Sequence, residues 1–529
     1  MYKFHINNNK SFLYHNLNKT YIEIPENQKL NKLFDGDIIN EKYDLIESKI
    51  RDKLLVGVFS TSQTQRFGKN KKGNVIYLVK PLLEKMPNFL IPYGGKLKGK
   101  IIIRFKYRHW NEKLPMGEII NVIGVFKKEN LNEMLMYHYE VFPKSIRYPE
   151  YTNSMENNIK RKKYSTNIFS IDPDDCEDID DALSIEEDND SIIIGVHIAQ
   201  PIYYLSKNDI ENKLKYQFST LYLENKRCDL WGSDITNKSS LHQGEEKPAY
   251  TILFHFKDNE LSHIEDFPSI IVNKKKLSYD NANTYSFANK LLSFTNQINK
   301  KVLDFHELVS IWMVKTNNYI GKKMSSHIPL RVNKKIDINI FDDIVIDEDI
   351  KDKFKIRNME AAEYSYTSSY HESLDLNNYC HFTSPIRRLM DTIIHMKLTY
   401  NENPEFNLDQ INFLDKQTKK FHRNIQLNSQ IDQFFKHDNE VVINSWIYQI
   451  KKENILEVFT KELGFLKVKL YDLKFDYLIE KKISEKELIL NYYDQEIIFR
   501  LGEIIKIKLS KRESLLQKIN ISLLDFNII

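Results

Sequence analysis

Between Asp172 and Asp190 the chain places eleven acidic residues and no basic one, in FSIDPDDCEDIDDALSIEEDND (169–190). A charge run of this kind is ordinarily a solvated loop. Here it is threaded through apolar positions, Ile171, Ile179, Ala182, Leu183 and Ile185, and leads into the strand-like SIIIGVHIA (191–199). Carboxylates interleaved with buried side chains are held against a core, where their repulsion is unfavourable unless something positive sits among them. A hard divalent cation bound through oxygens is the usual solution. A calcium loop of the EF-hand type is excluded: with Asp172 at the first position, the sixth is Glu177 instead of Gly and the twelfth is Leu183 instead of Glu. Zinc is excluded too, because Cys176 stands alone without His or further Cys. What remains is a magnesium or manganese site, of one or two ions, suited to phosphodiester hydrolysis.

The second informative segment is YCHFTSPIRRLMDTIIHMKL (379–398). Ser384 reads as a helix N-cap and Pro385 as the first helical residue. That places Arg387 and Arg388 in the first turn, where cations oppose the helix dipole but where unpaired N–H groups favour a phosphate. Asp391, four residues after Arg387, is expected to orient it. An acidic metal cluster together with an arginine pair suited to an anion describes a phosphodiester enzyme.

The remainder supplies architecture. A chain of 529 residues suggests two to four domains. Short apolar runs at 54–60, 74–79, 100–105 and 118–126, separated by glycines, predict a small β-barrel over 49–150. A lysine-rich linker (157–164) precedes mixed strands and loops over 168–290. Ile298, Val302, Phe305, Val309, Trp312, Thr316 and Ile320 keep helical spacing, and a second helical stretch starts at 384 and continues, after a break, through 408–450. Alternation returns in the tail and predicts another small barrel. Gly and Pro number only 15 and 14, which excludes collagen-like and Pro-rich classes. The 77 Lys and Arg nearly balance the 73 Asp and Glu, yet eleven of those acids lie in 172–190, so the rest of the chain is distinctly basic. Three scattered cysteines suit a reducing compartment. The first residues lack the apolar core of a signal peptide, and no apolar run is long enough to span a membrane. The expectation is a soluble, cytoplasmic protein with no membrane partner.

At these residues the sequence resembles the ribonuclease II / ribonuclease R family, also called the RNB family. The matching segments are IDPDDCEDIDDALS, GVHIA (195–199), LSYDNAN (277–283), MVKTN (313–317) and HFTSPIRR (381–388), in family order. The resemblance implies an α+β multidomain fold: an RNB catalytic domain over 160–450, with a mixed sheet and long helices, flanked by small OB-type barrels. Residues 1–48 resemble a shortened first cold-shock segment, 49–150 a cold-shock barrel and 451–529 a C-terminal RNA-binding barrel of the OB type. It implies processive 3′→5′ hydrolysis of single-stranded RNA, releasing nucleoside 5′-monophosphates, with one or two Mg2+ ions for which Mn2+ substitutes. Asp172, Asp178, Asp180 and Asp181 would be the active-site aspartates, with Asp172 and Asp181 as ligands of the tightly held ion and Asp180 the most damaging to lose. Arg387 would contact the scissile phosphate and Arg388 would support it. Tyr279 would lie beside the 3′-terminal nucleotide, and His197 is expected to be structural. A monomer is expected, with association to a larger RNA-degradation complex open.

Three departures stand out. Gln200 follows His197-Ile198-Ala199 where the family commonly has Asp. Ser310-Ile311 stand where it has a Glu-Glu pair. HESLDLNNY (371–379) lacks the glycines of the family stretch before YCHFTSPIRR. The alternatives to an exoribonuclease are a catalytically weak RNA-binding or scaffolding relative and a DNA exonuclease.

Overall fold

The computed structural model describes residues 2–7, 10–15, 20–24, 32–65, 67–83, 86–127, 131–141, 154–188, 191–223, 226–299, 303–333, 339–359, 361–367, 369–451, 455–470, 478–484, 486–492, 495–511 and 519–523. They divide into two compact units. One comprises 1–141 with 427–440 and 509–520, the other 142–426 with 441–508 and 521–529.

In the first unit, the strands Leu54–Ser60, Val75–Pro81, Phe89–Tyr93, Lys100–His109 and Met116–Val125 close into a barrel. Alternate residues of these strands, among them Leu55, Phe59, Val79, Phe89, Ile91, Ile101, Ile103 and Phe105, fill its interior. The period-two pattern therefore built the small barrel it predicted. The helix Leu131–Tyr139 seats Met134 in a second cluster with Val56, Leu82 and Ile102. Ahead of the barrel, five strands between Tyr2 and Glu47 form a separate sheet around Phe4, Leu13, Ile24, Leu33 and Ile39. Residues 25–31, part of the segment likened to a cold-shock tail, lie outside the described residues.

The second unit is built on a seven-stranded sheet. Its strand order is Lys162–Lys163, Glu260–Val272, Glu246–Lys257, Ser191–Ala199, Asp181–Asp188, Phe169–Asp172 and Lys275–Ser278. The central pairs are antiparallel and the two outermost pairs are parallel. Helices Ser286–Asn299 and Phe305–Met324 contribute Leu291, Phe294, Trp312 and Ile320 to the same core as Val196, Ile252 and Phe254 of the sheet.

The helical run predicted from Ile298 to Ile320 is two helices. Asp304 caps the second with a reciprocal capping box to Glu307, which starts a new helix whatever the apolar spacing says. Val302 lies outside the described residues. The helix predicted through 408–450 is also corrected. It runs Leu408–Phe434, and Glu440–Lys451 is a strand paired with Ile455–Thr460. The β-branched Val441, Val442 and Ile443, with alternating burial beyond them, favour that outcome. Further strands, Gly464–Lys469, Leu478–Ile483, Glu487–Tyr492 and Gln495–Arg500, extend this C-terminal part. Among the described residues no helix is long and apolar enough to cross a membrane.

Candidate active site

Asp172 ends one strand and Asp181 begins its neighbour, with Phe169 opposite Leu183. Residues 173–180 therefore connect the two at one end of the sheet. This connection is tied down on several sides. Ile179 N–H donates to Ser240 Oγ at 2.9 Å, Ser240 Oγ donates to the Glu177 carbonyl at 2.9 Å, and Lys276 Nζ donates to the Cys176 carbonyl at 2.6 Å. Ala199 N–H donates to the Asp180 carbonyl at 2.8 Å. Ile179 is the apolar anchor, fully buried in a cluster with Ile168, Ala182, Ala199, Leu241 and Ile386. Its neighbours Asp178 and Asp180 are drawn under with it and are only 7% and 3% exposed.

Two of the four carboxylates are matched by donors. Asp180 accepts from Ile386 N–H at 2.8 Å and from Arg387 Nε at 3.2 Å. Asp178 accepts from the Tyr222 hydroxyl at 2.6 Å and from Arg227 Nη1 at 3.2 Å. Asp172 and Asp181 are less well served. Among the described residues, Asp172 Oδ2 is buried without a hydrogen-bond partner. Burial raises the Asp172 carboxyl to about 6, against the help of Ser170 and Lys276, and the charge of Asp178 adds to the rise. Burial and the charge of Asp172 lift Asp181 to about 7. Burial also holds Asp180 well above the ordinary carboxylate range despite Arg387. Cys176 sits between Asp172 and Asp178, its Sγ 3.8 and 4.0 Å from their oxygens, and burial with their charges pushes the thiol up to about 12. A buried acceptor without a donor and mutually repelling acids are what a cation would relieve, so the donor set fits one. It does not yet surround one: among the described residues no group of three His, Cys, Asp or Glu side chains is gathered to hold a metal ion. Asp178 and Asp180 are instead turned toward Tyr222, Arg227, Ile386 and Arg387.

The arginine segment differs from its predicted form. Its helix is Leu389–Tyr400, and the N-cap is Arg388 in an extended conformation, not Ser384. Residues 384–387 make a turn, with Arg388 N–H donating to the Ser384 carbonyl at 2.9 Å. The chain on either side of Arg388 pairs with the 218–220 segment, through Thr220 N–H to the Arg387 carbonyl and Leu389 N–H to the Phe218 carbonyl, both at 3.0 Å. These backbone bonds postpone the helix past both arginines. Asp391 binds Arg388 Nη2 at 2.8 Å and leaves Arg387 to Asp180. The Arg387 side chain remains 45% exposed while its Asp180 partner is buried. Arg387 Nη2 also donates to Ser384 Oγ at 2.9 Å.

Tyr279 is half-buried just beyond the strand Lys275–Ser278, and burial with the charges of Asp181 and Asp172 pushes its hydroxyl up to about 12. His197 is fully buried, with Nε2 3.0 Å from Ser184 Oγ and Nδ1 2.9 Å from Thr251 Oγ1. Gln200 bonds none of the four aspartates. It binds His395 Nδ1 at 3.2 Å and Thr399 Oγ1 at 3.0 Å, and accepts from Arg161 Nη1 at 2.6 Å. Ser310 is exposed on helix Phe305–Met324. The glycine-poor stretch finds its left-handed residues elsewhere, at Asp375 (φ 52°) and Asn378 (φ 57°), types that tolerate that region. One glycine is indispensable nearby: a Cβ on Gly321 would lie 1.9 Å from the Asn378 carbonyl oxygen. That close passage lets Asn317 bind Phe382 N–H at 2.8 Å and set the start of the arginine segment.

Sequence reasoning missed Tyr222 and Arg227. They lie on a small hairpin, Leu221–Leu223 with Lys226–Cys228, some forty residues from the acids they bind. No motif marks them, and only the fold brings them to Asp178.

The RNB domain model matches residues 161–312 and 289–404. A Ribonuclease R of Ureaplasma parvum is 23% identical over 428 residues, covering 61% of this chain and 58% of the relative. The chain spans about half the length of the curated relatives it matches, 58%, 46% and 44% for three of them. The structure of Mycoplasma genitalium RNase R in complex with ribose-methylated single-stranded RNA aligns with a TM-score of 0.75 at 17% identity, covering 99% of this chain and all of that one. Yeast Ssd1, described as a pseudonuclease, aligns with a TM-score of 0.67 at 13% identity, covering 99% and 96%. These likenesses establish a shared fold. Acid hairpin and arginine turn both fall within the matched region, and the chain carries an RNB domain there.

Proposed function

We propose that this protein is a metal-dependent exoribonuclease that hydrolyses single-stranded RNA processively from its 3′ end and releases nucleoside 5′-monophosphates. The observation that carries the proposal is the Asp180–Arg387 pair, a buried carboxylate holding an exposed guanidinium at 3.2 Å. Asp180 takes Nε and Ser384 takes part of Nη2, so the outer guanidinium edge is oriented and free for a phosphate oxygen. A fixed cation at that place stabilises charge developing on phosphorus oxygens without reorganising. Asp172 and Asp181, with Asp178 and Asp180 adjoining, would hold Mg2+ or Mn2+, one ion or two. Such an ion supplies Lewis-acid charge and a more acidic bound water. Tyr222 and Arg227 hold Asp178 turned inward by donating to it. RNA as substrate is supported by the RNB domain and by the like-folded RNase R, whose structure holds single-stranded RNA.

One observation favours a second reading, an RNA-binding relative that does not cleave: among the described residues no three ligands converge, and a pseudonuclease shares the fold. Single-turnover degradation of a 3′-labelled oligoribonucleotide, with Mg2+, Mn2+ or chelator, separates the two. Mononucleotide release that requires the metal supports the enzyme. RNA binding without release under any metal overturns it. A DNA strand of the same sequence tests substrate class, since RNA preference needs contacts to the 2′-hydroxyl.

A further inference from the structure

The second residue of helix Phe305–Met324 is His306, an exposed residue. Its imidazole lies flat on Tyr279, with ring centroids 3.5 Å apart and planes 14° from parallel. Among the described residues no hydrogen bond holds either ring. The stack is not part of the helix cap, which Asp304 and Glu307 form. It stands beside the acid hairpin. Ser278, the residue before Tyr279, is paired with Asp172, and the charges of Asp181, Asp172 and Arg387 all act on the Tyr279 hydroxyl. One face of the imidazole is covered by Tyr279 and the other is open. One helical turn further on, Ser310 is short and exposed.

An aromatic surface that is fixed on one side and open on the other, at the edge of a phosphate-handling site, suits a nucleobase. Bases add to such stacks with little regard to sequence, at about 1–3 kcal/mol each. We infer that His306 is a base-stacking residue: the base at the 3′ end of the bound strand lies on its open face, and Tyr279 and His306 form a two-ring platform next to the acid hairpin. The inference rests on the reading of this site as one for single-stranded RNA. Tyr279 supplies rigidity and His306 supplies the contact.

The test uses the full chain carrying Asp180→Asn, which keeps the strand intact, and an oligoribonucleotide with 2-aminopurine as its 3′-terminal residue. Stacking quenches this base. Quenching on binding is expected, and His306→Ala in the same background should remove most of it and weaken binding about 5- to 150-fold. His306→Phe should retain the quench, which distinguishes loss of the ring from loss of the fold. A probe placed several residues upstream should respond equally in all three proteins. Equal terminal quenching with and without the His306 ring overturns the inference, and so does an absence of quenching while the wild type releases mononucleotides, which leaves the proposed function standing. Ring-dependent quenching without release from the wild type keeps the platform and overturns the hydrolysis. Failure of every protein to bind the strand overturns both.

Discussion

Asp181 and His197 stand on paired strands one register step apart, Asp181 opposite Ile198 and Ala182 opposite His197. Successive residues of a strand face opposite ways, so the two project from opposite faces of the same ladder. At His197 the polar demands are met. Both ring nitrogens have hydroxyl partners, and burial lowers its pKa to about 3, which keeps it neutral. The fit is tight enough that a Cβ on Gly195 would come within 2.3 Å of Ser184 Oγ. Gln200 extends the pattern, a neutral amide joining His395 to the buried Arg161–Glu156 pair. At Asp172 and Asp181 burial and repulsion are less well compensated, with Asp172 Oδ2 unpartnered among the described residues. Buried polar groups that serve structure are satisfied within the fold. Those left in tension are candidates for binding something the fold does not contain.

The largest expected break in this comparison is Asp180→Asn. Single-turnover cleavage should fall by about a thousand-fold or more, while RNA affinity measured by filter binding changes little, because Asn keeps the size of Asp and removes one charge from the site. Joint loss of binding and cleavage would count against the assignment.

Next comes stability against pH. Asp172 and Asp181 have native pKa values raised to about 6 and 7 from 3.8. Their protonated forms stabilise the fold below pH 3.8, and that stability is lost as pH rises through 6 to 7. His197 and His395 are both lowered to about 3 from 6.5. Their contribution is complete above pH 6.5 and is lost as pH falls toward 3. The raised acids and the lowered histidines therefore pull in opposite directions between pH 4 and 6.5. Asp181→Asn removes one acid contribution and should raise stability at pH 8 by roughly 2–4 kcal/mol, with the gain vanishing near pH 4. Urea unfolding at both pH values checks this, and a gain that grows on acidification refutes it.

Mg2+ should raise the melting temperature of the wild type in the presence of chelator-stripped buffer controls. Saturation at a hundred times the dissociation constant corresponds to about 2.7 kcal/mol. The rise should disappear in Asp172→Asn, and an equal rise in both proteins would remove Asp172 from the ligand set. The smallest effect lies on the neutral side. Gln200→Leu strips an acceptor from Arg161 and should lower stability by about 1–3 kcal/mol with the cleavage rate per folded molecule unchanged. A fall in rate without a fall in stability would move Gln200 into the active site.

Much of this was legible in the residues. Ile179 between Asp178 and Asp180 announced that acids were being buried, and the closed barrel followed from period-two patterning in 54–126. The misreadings have physical causes. Asp304 and Glu307 restart a helix whose apolar spacing ran on unbroken. The 218–220 segment captures the backbone around Arg388 and delays the next helix. Gln200, which does stand where the family commonly has Asp, belongs to a network on Arg161 and His395. In the stretch that lacks the family's glycines, Asp375 and Asn378 supply the left-handed backbone.

The sequence by itself determined the chemistry available: which carboxylates are drawn into the core, which arginines accompany them, and where strands and barrel lie. These are local matters of charge, side-chain polarity and periodicity. Only the tertiary structure decided the pairing. It gave Arg387 to Asp180 and Arg388 to Asp391, brought Tyr222 and Arg227 to Asp178, and laid His306 on Tyr279. Apart from Arg388 and Asp391, these partners are tens to hundreds of residues apart, and which donor reaches which buried acceptor depends on how strands, turns and helices pack, information that no short window of residues contains.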